Sequence, residues 1–359
     1  MNLSSTLAHE NKRNFPLDLL RVLACFLVVW QHITECYYIN PDLTVPRHEW
    51  MPLIGWMNSM TPIEVPLFVM ISGYLLLPLK MEIATFFKRR FTRILIPFVV
   101  WCVIYAGYYM LTRGDTFMDF VRNVAHIPVN FGVEIGHMWF IYMLLGLYML
   151  VPVLSPWLEQ CPKRQLQGYL GVWAFTTCLP YIHLWFPEVL GEWFWNPTPM
   201  LHYFTGFVGY FILGYYIKRY GELSIRTSLL MLIGAYLFTV AVYHYRLGKV
   251  TMVSDLEVCW RFCGVNIAMM AYAVFSLVSR IQWQGNNVFG RWISHVSGLS
   301  YAIYFVHLIM VFTWYGWLGE ILKYVYIQIP VLTIGAFLSS YVIVWVLSNL
   351  PKAKVWLGS

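Results

Sequence analysis

Asp18, Arg21 and His32 lie within one apolar run, 17–36. Ionisable side chains are costly in so apolar a stretch, so function is the first explanation to test for them. On an α-helix the step from Arg21 to His32 brings both side chains to within roughly 20° of one face, about 16 Å apart along the axis. That face carries a guanidinium near one end, suited to bidentate contact with phosphate oxygens. Deep in the helix it carries an imidazole able to exchange protons near neutral pH. Asp18 precedes Arg21 by one turn and can hold it. Glu35 follows His32 by one turn, where a carboxylate could fix the imidazole tautomer. Each has an ordinary reading as well: a helix ion pair for Asp18 and Arg21, a histidine hydrogen-bonded inside a bundle for His32, and a solvated carboxylate at the helix mouth for Glu35.

The elements that must position these groups are hydrophobic helices. Of 359 residues, 59% are apolar and 11% charged, against about 25% charged in soluble domains. A polytopic membrane protein is the class that fits, and the fold expected is an all-α bundle of ten transmembrane helices at about 20 residues each. The candidate spans are 17–36, 59–79, 94–112, 138–155, 166–184, 201–218, 227–246, 258–280, 298–317 and 327–349. An even number of crossings puts both termini on one side, and most of the basic residues fall on that side, so the termini are expected in the cytoplasm. The division expected is a tail over 1–16, a membrane domain over 17–350 and a second tail over 351–359. The first apolar run lacks a small-residue cleavage site, which marks a retained helix rather than a signal peptide. Between Met81 and Arg93, three phenylalanines mixed with four cations suggest an interfacial amphipathic helix. Seven cysteines without CxxC spacing read as packing residues. The net charge of +7 is explained by loop asymmetry, so no nucleic-acid partner is expected.

Several blocks, taken in order, match a known family. Arg21 and His32 are separated by ten residues and preceded by Asp18. Pro66 to Tyr74 (Pro-Leu-Phe-Val-Met-Ile-Ser-Gly-Tyr) gives an aromatic stretch ending in Ser-Gly, with Val69 where an aromatic is usual. Arg90 and Arg93 form an Arg-x-x-Arg in a basic loop. His137-Met-Trp-Phe140, Tyr210 to Tyr215 and Ser300 to His307 follow. With this set, over about 14–350, the chain resembles the membrane acyltransferase family 3, whose members acylate bacterial surface glycans. The chain resembles its standalone form, without a fused soluble transferase domain.

The resemblance implies an O-acyltransferase in the bacterial plasma (inner) membrane. Its donor would be acyl-CoA, most simply acetyl-CoA, with no metal. Its acceptor would be a glycan or lipid-linked oligosaccharide, and its remaining partners membrane lipids. His32 would then be the general base that takes the proton of a sugar hydroxyl, or would itself take the acyl group, with Glu35 beside it. Arg21, held by Asp18, would meet the donor's phosphates, and Arg90 and Arg93 would extend that anion site, although cations at a cytoplasmic border also satisfy orientation alone. Ser72 and Gly73 would allow close helix approach. His137 and Trp139 could line the acceptor or thioester site, while Tyr304 and His307 would complete a polar network. Trp185, Trp193 and Trp195 could stack on sugars or anchor the interface, and Arg261 could contact an acceptor or snorkel. Two other classes compete: a transporter or flippase, and a receptor-like protein on a catalytically retired scaffold.

Overall fold

The computed structural model describes residues 14–130, 136–186, 201, 204–283 and 287–358. The described residues form helices joined by short turns, with one isolated bridge between Thr44 and Met252. In chain order the helices are α1 (Phe15–Tyr38), α2 (Met51–Asn58), α3 (Glu64–Leu76), α4 (Ile83–Thr112), α5 (Phe117–Asn130), α6 (Trp139–Gln160), α7 (Lys163–Thr176) and α8 (Leu179–Ile182). They continue with α9 (Phe207–Tyr220), α10 (Ile225–Arg246), α11 (Val253–Leu256), α12 (Val265–Ser279), α13 (Val288–Leu318), α14 (Val325–Leu347) and α15 (Ala353–Leu357).

α1 begins where Asn14 caps it, accepting the Leu17 backbone N–H at 3.3 Å, and Pro16 sits in the first turn where its missing N–H costs nothing. It lies at the centre of the bundle, packed against α3, α13 and α14. α3 and α9 meet backbone to backbone. A Cβ added at Gly73 would collide with the Phe211 carbonyl, and one at Gly214 with the Met70 carbonyl. The close approach expected of Gly73 is therefore made with α9.

Among the described residues, eight stretches are long and apolar enough to cross a membrane, Phe15–Tyr38, Met51–Leu76 and Val288–Leu318 being three of them. The chain is an all-α, multi-pass membrane protein. Two of the expected spans are shorter: α7 and α9 have 14 residues each, about 21 Å at 1.5 Å per residue against about 30 Å of hydrocarbon. The basic stretch expected as an interfacial amphipathic helix is helical and runs without a break into the following span. Glu82 caps α4 by accepting the N–H groups of Thr85 at 2.8 Å and Ala84 at 3.0 Å, and these donors hold its carboxyl below the usual carboxylate range. Nothing from there to Thr112 breaks the helix, and Pro97 is accommodated inside it. The chain end returns to the bundle: α15 packs on α4, and the Arg93 Nε–H donates to the Gly358 carbonyl at 3.2 Å.

Candidate functional site: two adjoining cavities

Around His32 the helices leave a cavity of about 770 Å³, lined among others by Gln31, His32, Glu35, Asn58, Glu64, His137, Trp139, Glu257 and Arg261. His32 Nδ1 lies 2.6 Å from Glu35 Oε2, one turn along α1. With Nδ1 engaged by the carboxylate, Nε2 is the ring atom left to take a proton. Two further imidazoles stand beside it. The ring of His307 on α13 is centred 5.3 Å away, and that of His137, in the 3-10 turn preceding α6, 6.5 Å away. The Tyr304 carbonyl occupies Nδ1 of His307 at 2.5 Å, and the Tyr304 hydroxyl donates to the His137 carbonyl. Both ring nitrogens of His137, and Nε2 of His307, are buried without a hydrogen-bond partner among the described residues. Trp139 stacks on Phe262, with centroids 5.6 Å apart and planes 26° apart, forming an aromatic wall of the cavity.

A second cavity of about 350 Å³ has Arg21, Arg90 and Arg93 in its lining, with Ser72, Tyr148, Ser297 and Gly358. Arg21 and Gly358 belong to the two ends of the described chain, so those ends lie together at this end of the bundle. The Arg21 Nη1–H donates to Asp18 Oδ1 at 3.3 Å and to Ser297 Oγ at 3.5 Å. Asp18 is buried and also accepts the hydroxyls of Ser297 at 2.6 Å and Ser294 at 3.1 Å. It stands behind Arg21, outside the cavity lining, and acts by holding the guanidinium. Ser72 spends its proton on the Phe68 carbonyl of its own helix at 2.9 Å.

The two cavities share a boundary. Phe68, Phe140 and Tyr304 line both, with ring centroids 6.1 Å apart for Phe68 and Phe140 and 5.7 Å for Phe140 and Tyr304. Thus His32 and Arg21, on one face of α1, open into neighbouring chambers separated by a layer of aromatic side chains.

The structure brings together His32, Glu35, His137, Trp139 and Tyr304 at one cavity and Arg21, Arg90, Arg93 and Ser72 at the other, with Asp18 and His307 in direct support. Arg261 joins the His32 cavity. Trp185 is 76% exposed and lines neither cavity, whereas Trp193 and Trp195 lie outside the described residues. Sequence reasoning missed Glu64, Asn58, Glu257 and Ser297. Glu64 carried a signal, as a lone carboxylate in an apolar segment just before the Ser-Gly block; the other three are brought in by packing between distant segments. Among the described residues, no group of three or more His, Cys, Asp or Glu side chains could hold a metal ion.

No curated protein and no solved structure matches the chain. A family described as an acyltransferase domain matches residues 15–349, nearly the whole chain. That span takes in both cavities and the helices that build them, and the chain belongs to the membrane acyltransferase family 3.

Proposed function

We propose that this membrane acyltransferase takes an acetyl group from acetyl-CoA at the cytoplasmic face of a bacterial inner membrane. It delivers the group to a hydroxyl of a surface or lipid-linked glycan at the outer side. The observation that carries the proposal is the pair of adjoining cavities, with Arg21, Arg90 and Arg93 in one, His32 and Glu35 in the other, and Phe68, Phe140 and Tyr304 common to both.

Arg21, Arg90 and Arg93 bind the donor's phosphates, with Arg21 oriented by Asp18. Phe68, Phe140 and Tyr304 surround the narrow pantetheine arm and bring the thioester to His32. His32 Nε2 takes the proton of the attacking sugar hydroxyl while Glu35 holds Nδ1. The new C–O bond forms at the thioester carbon and the C–S bond breaks. The thiolate leaves toward the cationic chamber and takes up a proton, and the imidazolium returns its own to solvent. A ring N–H of His137, which has no partner among the described residues, is available to the carbonyl oxygen as negative charge develops there. A small acyl group suits a passage between aromatic rings, which favours acetyl among acyl donors.

The test is acetyl incorporation into glycan by His32→Ala and Arg21→Ala variants shown to insert and fold. Loss of a general base predicts a drop of about 10²- to 10⁴-fold for His32→Ala. Full activity in that variant would remove the mechanism.

A further inference from the structure

The His32 cavity holds polar groups that the acyl-transfer step does not use. Glu64, the first residue of α3, is 2% exposed, and its Oε2 has no hydrogen-bond partner among the described residues. Asn58, at the end of α2, is 1% exposed, and its Nδ2 is likewise without a partner among the described residues. Its Oδ1, by contrast, lies 2.6 Å from the Thr34 hydroxyl and 2.8 Å from that of Thr61. Buried donors and acceptors left unpaired cost about 1–3 kcal/mol each, so groups kept in this condition need another occupation. Both residues line the cavity that contains His32. Next to them Gln31 bridges the neighbourhood, its Nε2–H donating to Glu35 Oε1 at 3.4 Å.

A carboxyl group and an amide N–H lining one cavity suit the hydroxyls of a sugar ring. The carboxyl accepts from one or two hydroxyls, or donates to one when protonated, and the amide donates to a hydroxyl oxygen. The Trp139 and Phe262 wall supplies an apolar face for the ring. Among the described residues that line the cavity, the acidic side chains are Glu35, Glu64 and Glu257 and the guanidinium is that of Arg261. An acidic sugar would have to bring its own carboxylate, stripped of water, into a cavity with three acidic side chains and one guanidinium.

Resting on the acyl-transfer reading above, we infer that Glu64 and Asn58 form the acceptor subsite, and that it takes an uncharged, hydroxyl-rich sugar in preference to a uronate or other acidic sugar. The groups line the same cavity as the imidazole that deprotonates the acceptor, so a ring held there shares a chamber with His32.

The experiment uses the purified full chain in nanodiscs with radiolabelled acetyl-CoA and two acceptors, decyl β-glucoside and decyl β-glucuronide, which differ by one carboxylate. Acetyl-CoA turnover is followed separately from ester formation. The expected result is a kcat/KM at least about tenfold higher for the glucoside, with Glu64→Gln raising the glucoside KM and narrowing that ratio. Equal use of the two acceptors, a preference for the glucuronide, or turnover of acetyl-CoA with neither glycoside acetylated would overturn the subsite. The wild-type comparison alone can overturn it, so a Glu64 variant that fails to fold does not protect the inference. No acetyl-CoA turnover under any condition would instead remove the acyl-transfer reading on which it stands.

Discussion

At the scale of single residues, Glu35 and Ser297 each act on a reacting or binding group through a neighbour, and their loss should be felt differently. Glu35→Gln leaves the shape of α1 intact but takes the negative partner from His32 Nδ1; acetyl transfer should fall by about 10²-fold through kcat, as single-turnover rates would show. Ser297→Ala removes the 2.6 Å hydrogen bond that fixes Asp18. Losing a bond of this kind costs about 1 kcal/mol, so the acetyl-CoA KM should rise severalfold while kcat stays close to wild type, read from steady-state kinetics. The i, i+3 pairs on α1 were legible in the sequence because both partners lie on one helix, where spacing alone sets their approach. Ser297 and Glu64 were not: Ser297 stands 279 residues from Asp18, and no periodicity says which helix will face which.

At the scale of elements, two helices depend on having no side chain where they touch. Gly73→Ala would drive a Cβ into the Phe211 carbonyl of α9 and force the two backbones apart, with a destabilisation of about 1–3 kcal/mol. Thermal unfolding in detergent should register it. Gly146→Ala on α6, where an added Cβ meets nothing within 4 Å, should leave the melting temperature close to wild type. Hydropathy located the long helices well because lipid demands a continuous apolar run of fixed length. It placed the start of α4 too late, since the cationic stretch 81–93 lowers hydropathy without interrupting backbone hydrogen bonds. It also gave α7 and α9 the length of full spans; for α9, composition cannot see Gly206 at φ +78°, which starts the helix at Phe207.

At the scale of the whole molecule, the sequence placed a cation and an imidazole on one face but could not show that the intervening space is two chambers. That division comes from Phe68, Phe140 and Tyr304, contributed by three separate helices. If these rings gate the acyl group by size, Phe140→Ala should raise the rate with butyryl-CoA relative to acetyl-CoA by about tenfold, as expected when a pocket gains room for methylenes. The ratio within one preparation is independent of how much protein folds. The central claim is that a donor held at Arg21 and an acceptor held at His32 meet across the bundle from opposite sides. The most direct measurement is vectorial transfer in sealed proteoliposomes of defined orientation, with radiolabelled acetyl-CoA on the Arg21 side only and glycan acceptor on the other. The account predicts acetyl ester on the acceptor side with wild-type protein and almost none with His32→Ala or Arg21→Ala. Ester formed only when donor and acceptor share one side, or formed at full rate without His32, would contradict it.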